Sequence, residues 1–384
     1  MADTIREPVS GRVAEIEEDR PLRIAQVIGY PNIGGAERHF VNLVNALEGQ
    51  QRTAIFVSQD RGLADLRDVL DPSVEQVHLP IRRRHIGRDL RRLTALLRQC
   101  RCDVVHTHMF WASLFGAVSA HWAETPVLVT TEHGENRWKG WHHRWLERHV
   151  ISRYADRRLC VSQAILDRRV QTDGVPRRLL ELTANGTLLP TLEGDRKASS
   201  EPTIGSVGRL VPEKDYRTLV FAVAKLRDAG VRFRLCLVGD GPERSTLENQ
   251  VRNLDLTDHV EFAGAVKDVD SWYRRFDIFV LSSVQEGLPV ALLEAMSYGI
   301  PCVATAVGAV DTVIAADDEG TLVPPSSPEA LASAIETYLK DPDLSSRHGA
   351  AARDRIRVQF SIEAIAARHL ELYRRLLWEK HCAA

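Results

Sequence analysis

At 384 residues the chain is too long for one ordinary core and suits two α/β domains. With 44% hydrophobic and 27% charged residues it has the composition of a globular protein, not of a disordered or membrane-embedded one. A net charge of −2 gives the molecule as a whole no electrostatic case for nucleic acid.

Residues 1–20 mix acids and arginines, have no apolar stretch of signal-peptide length, and read as a disordered leader. Leu22–Ile28 is a short apolar run; a loop, Gly29–Gly35, follows, then an amphipathic helix with Phe40, Val41, Val44 and Leu47 among its apolar positions. Strands are expected at Thr53–Val57, Asp103–His108, Val127–Thr131 and Arg158–Val161, and helices at Arg88–Gln99 and Trp111–Ala120. Over Asn185–Glu201, Gly, Pro, Ser and charges replace the periodic pattern, as in a linker. The pattern restarts with strands Thr203–Val207, Arg234–Val238, Val260–Phe262, Asp277–Leu281 and Pro301–Ala304. A polar hinge near His348–Phe360 then precedes a long helix, Ile362–Trp378.

This alternation implies an α/β protein of two Rossmann-like, doubly wound parallel-sheet domains facing across a cleft. The expected divisions are 21–187, a linker at 188–202, 203–360, and a C-terminal helix, 361–384, packing back on the first domain. The six scattered cysteines form no C-x-x-C pair and read as reduced thiols of a cytoplasmic protein. The longest weakly charged stretch, Cys302–Ala316, is interrupted by Asp311 and falls short of a bilayer span.

In open parallel sheets, ligands bind beyond the carboxyl ends of the strands. Six polar groups fall there: Gly34-Gly35, His106 with His108, Glu132-His133, Arg209, Gly239-Asp240-Gly241 and Glu286. One such coincidence means little, but six argue for a shared cleft. The sharpest segment runs from Glu286 to Glu294 (EGLPVALLE). Pro289 suits the first turn of a helix, which puts Glu286, Gly287 and Leu288 in the loop and Glu294 over a turn into the helix. The free N–H groups and positive dipole of a helix start can grip a diphosphate. Glu286 would then face whatever hangs from the distal phosphate, and Glu294 could accept from a ribose diol. Two solvated acids on a surface helix are the alternative. Arg209 and Lys214 would neutralise the diphosphate as it departs, or else are solvated bases.

Gly239 suits a tight turn as well as a pocket wall. His106 and His108 share one strand face, with His108 nearer the strand end and cleft and His106 a packed core histidine. His133 is open between a local loop role and function. No ligand set has metal spacing. Residues 82–92 carry six arginines against one acid, a charged contact surface or a solvated one. Trp138, Trp141 and Trp145 suit packing on an amphipathic helix better than stacking on an acceptor sugar.

From about Leu22 to Trp378 the sequence resembles the family-four glycosyltransferases of the GT-B fold. The resemblance is carried by Gly34-Gly35-Ala36-Glu37, Asp103–His108, Gly208–Lys214, Val238–Glu243 and the E-x7-E spacing of Glu286 and Glu294. It implies a retaining hexosyltransferase with a nucleotide-sugar co-substrate, UDP-linked by default, an alcohol acceptor and no obligatory metal. Arg209 and Lys214 would hold the diphosphate, with Gly34 and Gly35 closing on it. Glu286 would contact sugar hydroxyls, Gly287 and Leu288 the phosphates, Glu294 the ribose and Val266 the base, with Gly239 lining the donor pocket. His108 would lie beside the reacting sugar, and Glu132, His133 and Trp138 are acceptor-side candidates. The resemblance also implies a cytoplasmic protein, peripheral on the inner membrane face if Arg82–Arg92 meets lipid, and an acceptor that is a saccharide, a lipid-linked saccharide or a small natural product. An acceptor-independent nucleotide-sugar epimerase and a non-catalytic sugar-nucleotide-binding subunit share the architecture.

Overall fold

The computed structural model describes residues 20–29, 35–57, 69–134, 138–191, 201–266 and 268–383. Gly34, the expected leader up to residue 19 and linker residues 192–200 lie outside them. The first sheet comprises β1 (Arg23–Ile28), β2 (Gln51–Phe56), β3 (Glu75–His78), β4 (Val104–His108), β5 (Val127–Glu132), β6 (Arg157–Cys160) and β7 (Leu180–Leu182). The second comprises β8 (Thr203–Val207), β9 (Arg234–Val238), β10 (Val260–Gly264), β11 (Ile278–Leu281), β12 (Cys302–Thr305) and β13 (Thr321–Val323). Every pairing between these strands is parallel. The expected pair of doubly wound α/β domains is therefore observed.

The order of the first sheet is β3-β2-β1-β4-β5-β6-β7 and that of the second β10-β9-β8-β11-β12-β13. Each order reverses once, between β1 and β4 and between β8 and β11, which opens a crevice at the carboxyl ends of those strands. The central strands are buried on both faces and form continuous apolar runs, including Ile24, Val27 and Ile28 in β1 and Phe279, Val280 and Leu281 in β11.

The chain crosses between domains twice, and the crossings pair: Thr187 N–H donates to Phe360 O at 2.9 Å and Ile362 N–H to Thr187 O at 2.9 Å. Helix Ile362–Ala383 then returns to the first domain, burying Ile365, Leu372, Tyr373 and Leu376 against Leu22, Ile24, Val104 and Leu159. The expected polar hinge at His348–Phe360 is instead the end of helix Pro342–Arg355 and a π-helical turn, Ile356–Phe360. Ile356 and Phe360 are buried, and this anchors a segment whose charge resembles a loop. Cys102, Cys160, Cys236 and Cys302 are buried free thiols, Cys100 is partly buried, and Cys382 is exposed. Among the described residues, no helix is long and apolar enough to cross a membrane, and no His/Cys/Asp/Glu group could hold a metal.

Candidate active site

The second crevice is built by two loops locked together. After β8, Gly208 leads to Arg209 and then to a single turn, Pro212–Lys214. Asp215 follows with positive φ, its carboxylate accepting from Thr218 N–H and Thr218 Oγ1 to cap helix Tyr216–Asp228. The loop after β11 grips this turn: Val284 N–H donates to Glu213 O at 2.9 Å and Ser282 Oγ to Lys214 O at 2.9 Å. Lys214 Nζ in turn lies 2.6 Å from Glu286 Oε1, which also accepts from Ser283 Oγ at 2.6 Å. Thr305 Oγ1 donates to Ser283 O at 2.6 Å, fixing that serine. Glu286 is only 9% exposed, so its ion pair is far less screened than a surface pair.

Two glycines make these approaches possible. A Cβ on Gly239, which has φ +139, would fall 1.9 Å from Gly208 O, so this glycine serves the packing of its loop against the Arg209 loop. On Gly308, φ +62, a Cβ would fall 2.1 Å from Glu286 O.

Helix Val290–Ser297 starts directly behind Glu286-Gly287-Leu288. Pro289 is its N-cap rather than a first-turn residue; its carbonyl accepts from Leu292 and Leu293 N–H, and its missing N–H costs nothing there. Glu294, one turn in, accepts from Tyr273 OH at 2.7 Å and pairs with Arg38 Nη1 at 3.2 Å. Burial raises its pKa, against the pull of Arg38 and Tyr273. Arg209 is exposed, and its side chain makes no hydrogen bond or ion pair among the described residues. Val266 is partly buried against the core of the second domain.

The first domain faces this arrangement closely. Arg38 lies on helix Gly35–Ala46, and a Cβ on Gly35 would come 3.0 Å from Val290 Cγ2. At Gly287 a Cβ would come 3.0 Å from His133 O and 3.5 Å from Ile165 Cδ1. The structure thus gathers Gly35, His133, Lys214, Glu286, Gly287 and Glu294 about one interdomain crevice.

Three expectations for the first domain change. His108 is fully buried, its Nδ1 3.1 Å from His133 Nε2 and its Nε2 2.7 Å from Gln26 Oε1; it stands behind His133 instead of reaching the cleft. Strand alternation gave its face but not its depth. Glu132 is spent on a buried ion network, accepting from Lys139 Nζ at 3.0 Å and forming an ion pair with Arg169 Nη2 at 2.9 Å. Glu147, from the π-helical turn Glu147–Ile151, pairs there with Lys139 and Arg158, and Asp173 with Arg169. The cationic partners hold Glu147 well below the usual carboxylate range against its burial. Nothing in the sequence signalled this network, because its members are spread from 132 to 173. Trp138, Trp141 and Trp145 do not pack inside: they are 52%, 79% and 54% exposed. His106 is the core histidine expected, with both ring nitrogens hydrogen-bonded.

The comparisons with known proteins agree with this architecture. The family model Glycosyltransferase Family 4 matches residues 33–187, and Glycosyl transferases group 1 matches 193–355. The putative glycosyltransferase EpsF of Bacillus subtilis is 30% identical over 52% of this chain and 56% of its own length. The Escherichia coli UDP-Gal:alpha-D-GlcNAc-diphosphoundecaprenol alpha-1,3-galactosyltransferase is 26% identical over 83% of this chain and 88% of its own. Among solved structures, Anabaena HepE in complex with UDP superposes with a TM-score of 0.78 at 19% identity, covering 91% of this chain and 98% of that one. With two parallel-sheet domains of this topology and both halves matched, the chain belongs to the family-four glycosyltransferases of the GT-B fold.

Proposed function

We propose that the protein transfers a hexosyl or N-acetylhexosaminyl group from a UDP-linked sugar to an alcohol acceptor, with retention of anomeric configuration. The observation that carries this reading is the Lys214–Glu286 pair, only partly exposed, at the start of helix Val290–Ser297 and in the crevice of the second sheet. Lys214 and Arg209 would neutralise the diphosphate, and the N–H groups at the helix start would bind it without a divalent cation. Glu286, held by Lys214 and Ser283, would accept from sugar hydroxyls and Glu294 from the ribose diol. Gly35, with Gly34 before it, would close on the phosphates, while Gly287 and Leu288 would add backbone contacts and Val266 would meet the base. HepE was solved with UDP, and the E. coli relative is named for a UDP-Gal donor, which favours a uridine nucleotide here.

On the acceptor side, Glu132 is committed to its ion network and is poorly placed as a nucleophile. We therefore favour front-face attack, in which the departing phosphate takes the acceptor's proton. His133 replaces His108 as the histidine at the sugar, with His108 behind it and Trp138 at the acceptor rim. Incubation with UDP-sugars and candidate acceptors, followed by proton NMR of the new linkage, should show the donor's anomeric configuration preserved. An inverted product would overturn the retaining mechanism. Epimer formation from donor alone would favour the epimerase, and nucleotide binding without turnover a binding subunit.

The acceptor reading includes a lipid surface, since that relative is named for a diphosphoundecaprenol substrate. Arg82, Arg84, Arg88, Arg91 and Arg92 are exposed at the start of helix Ile86–Cys100, which packs on helix Phe110–Trp122. The latter packs on the turn Glu147–Ile151 that follows Trp145, and its Phe110 meets Trp138 edge to face, so the arginine-bearing and tryptophan-bearing segments adjoin one helix. Arginine attraction to anionic headgroups with tryptophan insertion at the interface fits a peripheral protein on an anionic membrane face. Co-sedimentation with phosphatidylglycerol vesicles should be clear, weak with phosphatidylcholine, and lost when Arg88, Arg91 and Arg92 are replaced by serine. Equal binding by that variant would refute the contact.

A further inference from the structure

Beneath His133 runs a chain of buried polar side chains reaching the C-terminal helix. Asn185 meets His133 Nδ1 at 3.0 Å, His133 Nε2 meets His108 Nδ1 at 3.1 Å, and His108 Nε2 meets Gln26 Oε1 at 2.7 Å. Gln26 Nε2 donates to the Tyr373 hydroxyl at 3.4 Å, which meets His106 Nδ1 at 2.6 Å. His106 Nε2 ends the chain on Thr131 Oγ1 at 2.7 Å. Gln26, His106, His108, Asn185 and Tyr373 are each at most 3% exposed, so no bulk water can substitute for a mismatched partner.

A neutral imidazole has one N–H and one lone pair. Histidines in direct contact must therefore run in the same sense, one donating and the other accepting, and this sense passes through Gln26 and Tyr373 to the third ring. Gln26 selects it: with Oε1 on His108 and its NH2 on Tyr373, the protons sit on Nε2 of His133, His108 and His106. Tyr373 then donates to His106, and Asn185 presents its NH2 to His133 after a half-turn of its amide. Leaving Asn185 Oδ1 on His133 would set two rings between two carbonyl oxygens, so that three hydrogen bonds would need three protons and hence a buried imidazolium. Burial opposes that charge: it lowers His133 to about 4 and holds His108 and His106 well below the usual imidazole range.

We propose that His133, His108 and His106 are locked into one common tautomer, and that Tyr373, acting through Gln26 from the returning C-terminal helix, is a positioning residue for His133 at the cleft. The tautomer lock stands on hydrogen-bond geometry and the neutrality of buried rings; its role in positioning rests on the transfer reading above. The lock gives the C-terminal crossover a part in the chemistry. A proton on Nε2 points His133 inward to His108 and leaves its main-chain carbonyl facing Gly287.

The test is nitrogen NMR of the full-length protein with labelled histidine at neutral pH, for the wild type and Tyr373→Phe, each checked by thermal melting. The wild type should show all three rings protonated on Nε2. In Tyr373→Phe, Gln26 loses its anchor and His106 loses its donor, and the Thr131 hydroxyl can donate or accept, so all three rings should shift toward a tautomer average. Transfer by that variant should fall about tenfold to a hundredfold in kcat at unchanged donor KM, the size of a small misplacement near the reacting atoms. Gln26→Met releases the link from the other side and should move His108 and His133 while Tyr373 still holds His106. Wild-type rings that differ from one another, or a folded variant whose His133 resonances do not move, would overturn the proposal. A shared tautomer in a protein that transfers no sugar supports the lock and counts against the reading on which its role rests.

Discussion

Lys214→Ala is expected to lower kcat for glycosyl transfer by about a hundred- to a thousandfold, the usual effect of removing one preorganised group from developing charge. The size follows from where the lysine sits. Its ammonium lies 2.6 Å from a carboxylate that is almost fully buried, and its main chain is pinned by Ser282, so it is held in place before the donor arrives. Removal takes away a cation aimed at the departing diphosphate and also leaves Glu286 held only by Ser283. Glu286→Gln keeps the shape and frees Lys214; it should lower turnover comparably, but through weaker grip on the sugar hydroxyls. Arg209→Ala should act mainly on donor KM, because among the described residues this side chain has no partner to organise it before binding. Initial rates of nucleoside diphosphate release for the three variants test this, and near-normal turnover by Lys214→Ala would refute the assigned role.

The second large effect is on stability against acid. His39, His106, His108, His133 and His369 all have pKa values lowered by burial, His133 to about 4 from an ordinary 6.5. As pH falls, the unfolded chain therefore takes up protons that the folded chain refuses, so these groups are neutral in effect above about pH 6.5 and destabilise the fold below it. Each costs about 1.4 kcal/mol per pH unit below the unfolded pKa until its own folded pKa is reached. Their losses act together against a typical stability of only about 5–15 kcal/mol. Asp103 and Glu147, whose pKa values are lowered by their cationic partners, add a further loss only once pH enters the ordinary carboxylate range. Chemical denaturation followed at successive pH values should show stability dropping steeply below pH 6.5, and a flat profile down to pH 5 would contradict the buried, neutral state of the histidines.

The central strands were legible as short, largely apolar segments between turn signals, and Arg234–Val238 and Thr203–Val207 match to the residue. The strands missed, Glu75–His78, Leu180–Leu182 and Thr321–Val323, are both edges of the first sheet and one edge of the second, and are only three or four residues long, too short for periodicity to register. The second-domain loops were legible because strand ends and helix starts can be read locally, and Glu286 and Lys214 each stand beside one. What could not be read was depth and pairing across the sequence. That His108 sits behind His133 depends on the register of two neighbouring strands, and the commitment of Glu132 on partners up to 37 positions away. The tryptophan segment follows helical spacing, but its short helix, Trp141–Leu146, buries no residue of its own, so the packing expected of that pattern has nothing to act on.

If cations and a helix start in the second crevice hold a nucleoside diphosphate, calorimetric titration with UDP should show saturable one-site binding by the wild type. Binding should weaken at least tenfold in both Arg209→Ala and Lys214→Ala, the cost of about 1.4 kcal/mol per lost charge contact. Undiminished UDP affinity in both variants, with the proteins folded, would contradict it.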